Sequence, residues 1–184
     1  ILMANKLERF RLAWVEEPVP PENLSELKRV AERVSIPIAV GERLHTMNEF
    51  RPLFDLHVVD IIQPDISHFG GLTHTRRLAA WADVYNVLLA PHNVGGPVST
   101  AAALHVAACT PNFMIQEHFN DFADAWVKKA APGVPEVVDG YFSLPTAPGL
   151  GVELNEPTCS EHPQIEAHFN LFKDEWHRRG KGNT

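Results

Sequence analysis

The chain has 184 residues, a formal net charge of −7 at pH 7, and 45% hydrophobic against 21% charged residues. That is length enough for one domain with a real core. No apolar run approaches the roughly 20 residues a bilayer span needs. The acidic balance, with no basic run longer than short stretches such as Lys128-Lys129 and a terminal RRGK, argues against a nucleic-acid partner.

Residues 1–10 (ILMANKLERF) read as an amphipathic helix already under way. They lack the basic lead and small-residue cleavage site of a signal peptide. Cys109 and Cys159 show neither metal spacing nor a disulfide framework, so a reducing cytoplasm is the expected compartment. Apolar RLAWVEE then climbs to Glu16 and Glu17 and breaks on Pro18, Pro20 and Pro21. PENLSELKRVAERV places Leu24, Leu27, Val30 and Ala31 at helical spacing, with Asn23 or Ser25 at its start. A strand at 36–42 (IPIAVGE), a helix (MNEFRPLFDL) and a strand at 58–65 (VVDIIQPD) follow. After Gly70-Gly71 come the helix THTRRLAAWADVYN and the strand VLLAPHN at 87–93. The helix STAAALHVAAC and the strand FMIQEHF at 113–119 complete the series. Nearly all-apolar strands alternating with helices indicate a parallel sheet covered by helices.

Each strand ends on one titratable residue: Glu16, Glu42, Asp65, His92 and Glu117, spaced by 26, 23, 27 and 25 residues. That is one βα unit each time, the mark of a TIM-like (β/α) barrel whose C-terminal strand ends converge on one site. A doubly wound open sheet fits less well, since no glycine-rich phosphate fingerprint is present. Strand alternation places residues 12, 14 and 16 on one face, likewise 38, 40 and 42, and 61, 63 and 65. Glu16, Glu42 and Asp65 are therefore expected to face the barrel mouth, and Glu17 the helix layer or rim.

Inward carboxylates on neighbouring strands with no cysteine nearby suit a hard divalent cation such as Mg²⁺, whereas zinc would favour His or Cys ligands. A strand-end glutamate taken alone is ordinary solvent dressing; five polar strand ends in register are not. Asp65 and His92, on successive strands, are expected to pair, the aspartate orienting an imidazole that acts as general base. A metal opposite would stabilise the enolate formed by removing a proton from carbon. His45, His68 and His118 fall just past strand ends, where barrel loops leave room for contact with substrate. His57, His74, His105, His162, His168 and His177 lie on helices or tails and read as packed or solvated.

WVEEPVPPEN, IPIAVGERL, DIIQPDISHFGGLT, LLAPHN and MIQEHF together resemble the C-terminal barrel of the enolase superfamily, mandelate racemase subgroup. The resemblance is greatest to sugar-acid dehydratases of the galactonate dehydratase type, and PTAPGLGVELNE resembles that group's tail. It implies the C-terminal part of a (β/α)7β barrel over residues 1–118. It also implies a post-barrel segment and tail, 119–184, packing on a capping domain that the chain does not contain. Glu16 and Glu42 would be two of three Mg²⁺ ligands, and Asp65 with His92 the proton-handling dyad. Glu117 would hydrogen-bond the substrate carboxylate or the developing enediolate oxygen, with His45 and Asn93 as substrate contacts. The implied activity is Mg-dependent dehydration of an aldonate or aldarate to a 2-keto-3-deoxy acid, in an enzyme that is a homo-oligomer when complete. A racemase or epimerase using the same enolate is the alternative, as is a non-catalytic barrel fragment.

Overall fold

The computed structural model describes residues 1–163; His168, His177 and the RRGK run lie outside them. The element order begins with α1 (Leu2–Leu7), a 3₁₀ turn (Glu8–Phe10) and β1 (Val15–Glu16). It continues with α2 (Leu24–Ala31), β2 (Ile38–Val40), α3 (Met47–Asp55), β3 (Ile61–Ile62), α4 (Gly71–Val84), β4 (Leu88–Leu89) and α5 (Pro97–Ala108). The strands pair in parallel in the order β1-β2-β3-β4. This is the expected run of βα units and part of a barrel wall.

Local sequence sets the helix starts. Asn23 caps α2 by accepting from the Glu26 amide at 3.2 Å. Thr46 and Glu49 form a capping box on α3, and the Glu49 carboxylate also takes the His45 amide at 2.9 Å. That box ties the loop after β2 to the helix that follows it.

The fifth strand is shorter than the pattern FMIQEHF predicts. It is reduced to one parallel bridge, Leu89 with Phe113. The Leu89 amide donates to Asn112 O at 2.9 Å and the Met114 amide to Leu89 O at 2.8 Å. The next rung would need an N–H from residue 91, which is proline and has none. The Gln116 side chain donates to Pro91 O at 3.2 Å instead.

Two apolar layers sandwich the sheet. Ile38, Val40, Ile62 and Leu89 pack with Leu27, Phe50, Leu53, Phe54 and Leu78 of the helices in one cluster, while Ala39, Ile61 and Ala90 form the other, against Trp14. This corrects one expectation. Residues 38 and 40 face the helices, so residue 39, not 38 or 40, shares the inner face with Trp14 and Glu16. Parallel strands are apolar on both faces, so alternation in this stretch carries no signal of which side is in.

Past Phe119 come a 3₁₀ turn (Asn120–Phe122), α6 (Ala125–Ala130), the antiparallel pair β5 (Val137–Val138) and β6 (Tyr141–Phe142), and α7 (Glu156–Glu161). The hairpin turns on Asp139-Gly140, at φ of 51° and 82°, the Asp-Gly pair favoured where both central residues need positive φ. Among the described residues, no helix is long and apolar enough to cross a membrane.

Candidate active site

The ends of β1 to β4 and of the fifth segment gather His92 and its acidic neighbours. His92 Nδ1 lies 2.8 Å from Asp65 Oδ2 and its Nε2 lies 3.2 Å from Glu42 Oε2 and 4.0 Å from Glu117 Oε2. Asp65 is 2% exposed. Its other oxygen accepts from the Ser67 amide at 2.7 Å, so the carboxylate is fixed from both sides. A carboxylate held against Nδ1 keeps the ring proton there and leaves Nε2 as the nitrogen that can take or give one.

Glu42 reaches this cluster although β2 presents residues 38 and 40 to the helices. The change of phase occurs at Gly41, whose φ is +156°, and a Cβ there would stand 2.7 Å from the backbone N of Gln63. Only glycine lets the chain pass this close to β3 and turn the next side chain into the mouth.

Glu16 is on the inner face, as expected, with its Oε2 accepting from Gln63 Nε2 at 2.7 Å and from Trp14 Nε1 at 3.2 Å. Sequence reasoning missed both partners. The polar Gln63 within the apolar run DIIQPD was the available signal. Glu17 turns the other way: its carboxylate pairs with Arg43, and only 11% of its side chain is exposed. Burial raises its carboxyl above the ordinary value of 4.5, while Arg43 pulls in the opposite direction.

Glu117 Oε2 accepts the Asn93 backbone amide at 2.9 Å. Asn93 is itself fully buried, and its side chain bonds Ser99 and Thr100 rather than pointing into the mouth. His45 and His68 are both exposed beyond their strand ends, ring centroids 5.9 Å apart. His118, also just past a strand end, packs edge-on against Phe142, 4.8 Å between centroids.

Among the described residues, none of Glu16, Glu42 and Glu117 pairs with a Lys or Arg. Carboxylates with no Lys or Arg partner keep oxygen donors of the kind a hard cation takes. No three His, Cys, Asp or Glu side chains among the described residues are grouped to hold a metal alone. Glu16 and Glu42 offer carboxylate oxygens of the kind a hard cation takes.

Residues 1–158 match the family described as Enolase C-terminal domain-like. The chain is similar to the D-galactonate dehydratase family member RspA of Pantoea ananatis, 39% identical over 158 residues, covering 85% of this chain and 37% of that protein. It is also similar to the D-xylonate dehydratase of Haloferax volcanii, 37% identical over 153 residues, covering 83% of this chain and 37% of that one. The crystal structure of an enolase from Pantoea ananatis with bound D-gluconate and Mg superposes with a TM-score of 0.82 at 36% identity, covering 89% of this chain and 39% of that one. The chain thus spans well under half the length of the relatives it matches.

Proposed function

The chain belongs to the enolase C-terminal domain-like family, and from that premise we propose that it is the C-terminal part of a Mg-dependent acid-sugar dehydratase. The observation that carries this is the His92 ring, 2.8 Å from Asp65 through Nδ1 and facing Glu42 and Glu117 through Nε2. Relatives named for galactonate and xylonate, and a related structure with bound gluconate and Mg, support a polyhydroxy acid as substrate.

Glu16 and Glu42 would hold Mg²⁺ together with an oxygen ligand from outside the described residues. When bound, the ion would polarise the substrate carboxylate and make the neighbouring C–H more acidic. His92 takes the C2 proton on Nε2, and Asp65 stabilises the imidazolium that results. The C2–H electron pair becomes an enediolate, which expels the C3 hydroxyl as water with a proton returned to it. The enol left behind tautomerises to a 2-keto-3-deoxy acid. Glu117, pinned by the Asn93 amide, holds the carboxyl end through a shared proton. His45 contacts the substrate from the rim, whereas Asn93 serves through its backbone. Residues 1–118 would supply this machinery.

The test is the complete protein with Mg²⁺ against a panel of aldonic and aldaric acids, assayed for 2-keto-3-deoxy product and for C2 exchange in D₂O. Product from an aldonate or aldarate is expected. Exchange without loss of water would move the assignment to a racemase or epimerase. Neither product nor exchange with any acid would sink it.

A further inference from the structure

Asn93, Thr100 and Asn120 come from three different places: the turn after β4, the first turn of α5, and the 3₁₀ turn beyond Glu117. All three are buried, at 0%, 0% and 8% exposure. Thr100 Oγ1 accepts from Asn93 Nδ2 at 2.8 Å and from Asn120 Nδ2 at 3.0 Å, so one hydroxyl joins the two strand ends that carry His92 and Glu117. The side-chain Oδ1 of Asn93 accepts from Ser99 Oγ at 2.9 Å. Ser99, having donated its proton there, accepts from Ser67 Oγ at 3.1 Å. Ser67 is the residue whose amide holds Asp65. The network therefore touches the backbone behind Asp65, His92 and Glu117 alike. Gly95 is part of the fit, because a Cβ there would fall 2.7 Å from Ser99 Cβ and 3.3 Å from Asn93 Oδ1.

We propose that Thr100 is a positioning residue. Resting on the function proposed above, its hydroxyl clamps Asn93 and Asn120 so that the Asn93 amide holds Glu117 Oε2 at a set distance from His92. An amide side chain locked in a buried network has no rotamer freedom. The backbone N–H beside it therefore presents one direction to Glu117. The valine isostere keeps the shape of threonine and leaves both amide groups without their acceptor.

The experiment compares Thr100→Val, Thr100→Ser and Thr75→Val in the complete protein. Thr75 is a buried control on α4, where its hydroxyl donates to Gly71 O at 2.9 Å, outside the network. Amide hydrogen exchange of peptides covering 88–95 is read by mass spectrometry, alongside kcat and KM for an acid sugar. Loss of a buried acceptor should make Thr100→Val exchange there at least about tenfold faster and lower kcat by a similar factor, with KM little changed. Thr100→Ser should restore both, and Thr75→Val should alter neither. Unchanged exchange in Thr100→Val, or an equal rise in Thr75→Val, overturns the clamp. Faster exchange with wild-type kcat overturns its part in the reaction. If the wild-type protein turns over no acid sugar, the proposed function falls, and the exchange data alone still decide the clamp.

Discussion

Replacing Gly41 by alanine should damage both the fold and the proposed Mg²⁺ site, and the structure gives the size of the effect on the fold. Its φ of +156° lies where a residue with a side chain is strained, at a cost of about 1–3 kcal/mol. The new Cβ would stand 2.7 Å from Gln63 N and 2.8 Å from Gln63 C, both backbone atoms of β3 that cannot swing aside. Forcing the two strands apart adds about 1–3 kcal/mol. The sum, about 2–6 kcal/mol, is a large share of the ~5–15 kcal/mol that holds a typical domain together. Gly71→Ala is the comparison: its φ is +74°, but nothing lies within 4 Å of the added carbon. It should therefore cost only the backbone term, about 1–2 kcal/mol. Urea unfolding of the complete protein gives both values. Calorimetric titration should also show weaker Mg²⁺ binding in Gly41→Ala, because Gln63 holds Glu16 and residue 41 aims Glu42. A Gly41→Ala variant no less stable than Gly71→Ala, with wild-type Mg²⁺ affinity, would refute the role given to this crossing.

Two further outcomes are expected. Glu16→Gln and Glu42→Gln should each weaken Mg²⁺ binding sharply by calorimetry, while Glu17→Gln should not, since the Glu17 carboxylate is spent on Arg43. Thr46→Ala should cost about 1 kcal/mol by thermal unfolding, through loss of the α3 cap. The cost should also depend on pH. The Thr46 hydroxyl, with the His45 and Thr46 amides, holds the Glu49 carboxyl below its ordinary 4.5. A depressed carboxyl stabilises the fold above its unfolded value and loses that contribution as pH falls through the folded one. The penalty of Thr46→Ala should accordingly be largest above pH 4.5 and shrink in acid.

The repeating strand ends were readable because a barrel puts its chemistry where an apolar run stops, and five such stops in step are hard to miss. Asp65 with His92 followed from that spacing, and the structure brings them within hydrogen-bond distance. The facing of β2 was not readable. Ile38, Ala39 and Val40 are all apolar and all buried, so the pattern does not say which side is in. Glu42 reaches the site through the backbone at Gly41, which periodicity does not weigh. The shortened fifth strand was legible in principle, since Pro91 removes the donor for its next rung. Asn93 is an asparagine beside a candidate base, which reads as a substrate contact. Its burial depends on Thr100 and Asn120, residues far enough along the chain that only the fold joins them.

The most direct measurement is C2 deuterium exchange and turnover of an acid sugar by His92→Asn in the complete protein, with Mg²⁺ affinity measured on the same sample. Losing a general base costs about 10²–10⁴-fold. The expected result is turnover and exchange reduced at least that far, with Mg²⁺ affinity nearly unchanged and Asp65→Asn impaired less severely in the same step. Near wild-type turnover by His92→Asn would contradict the dyad and hand the proton to another group.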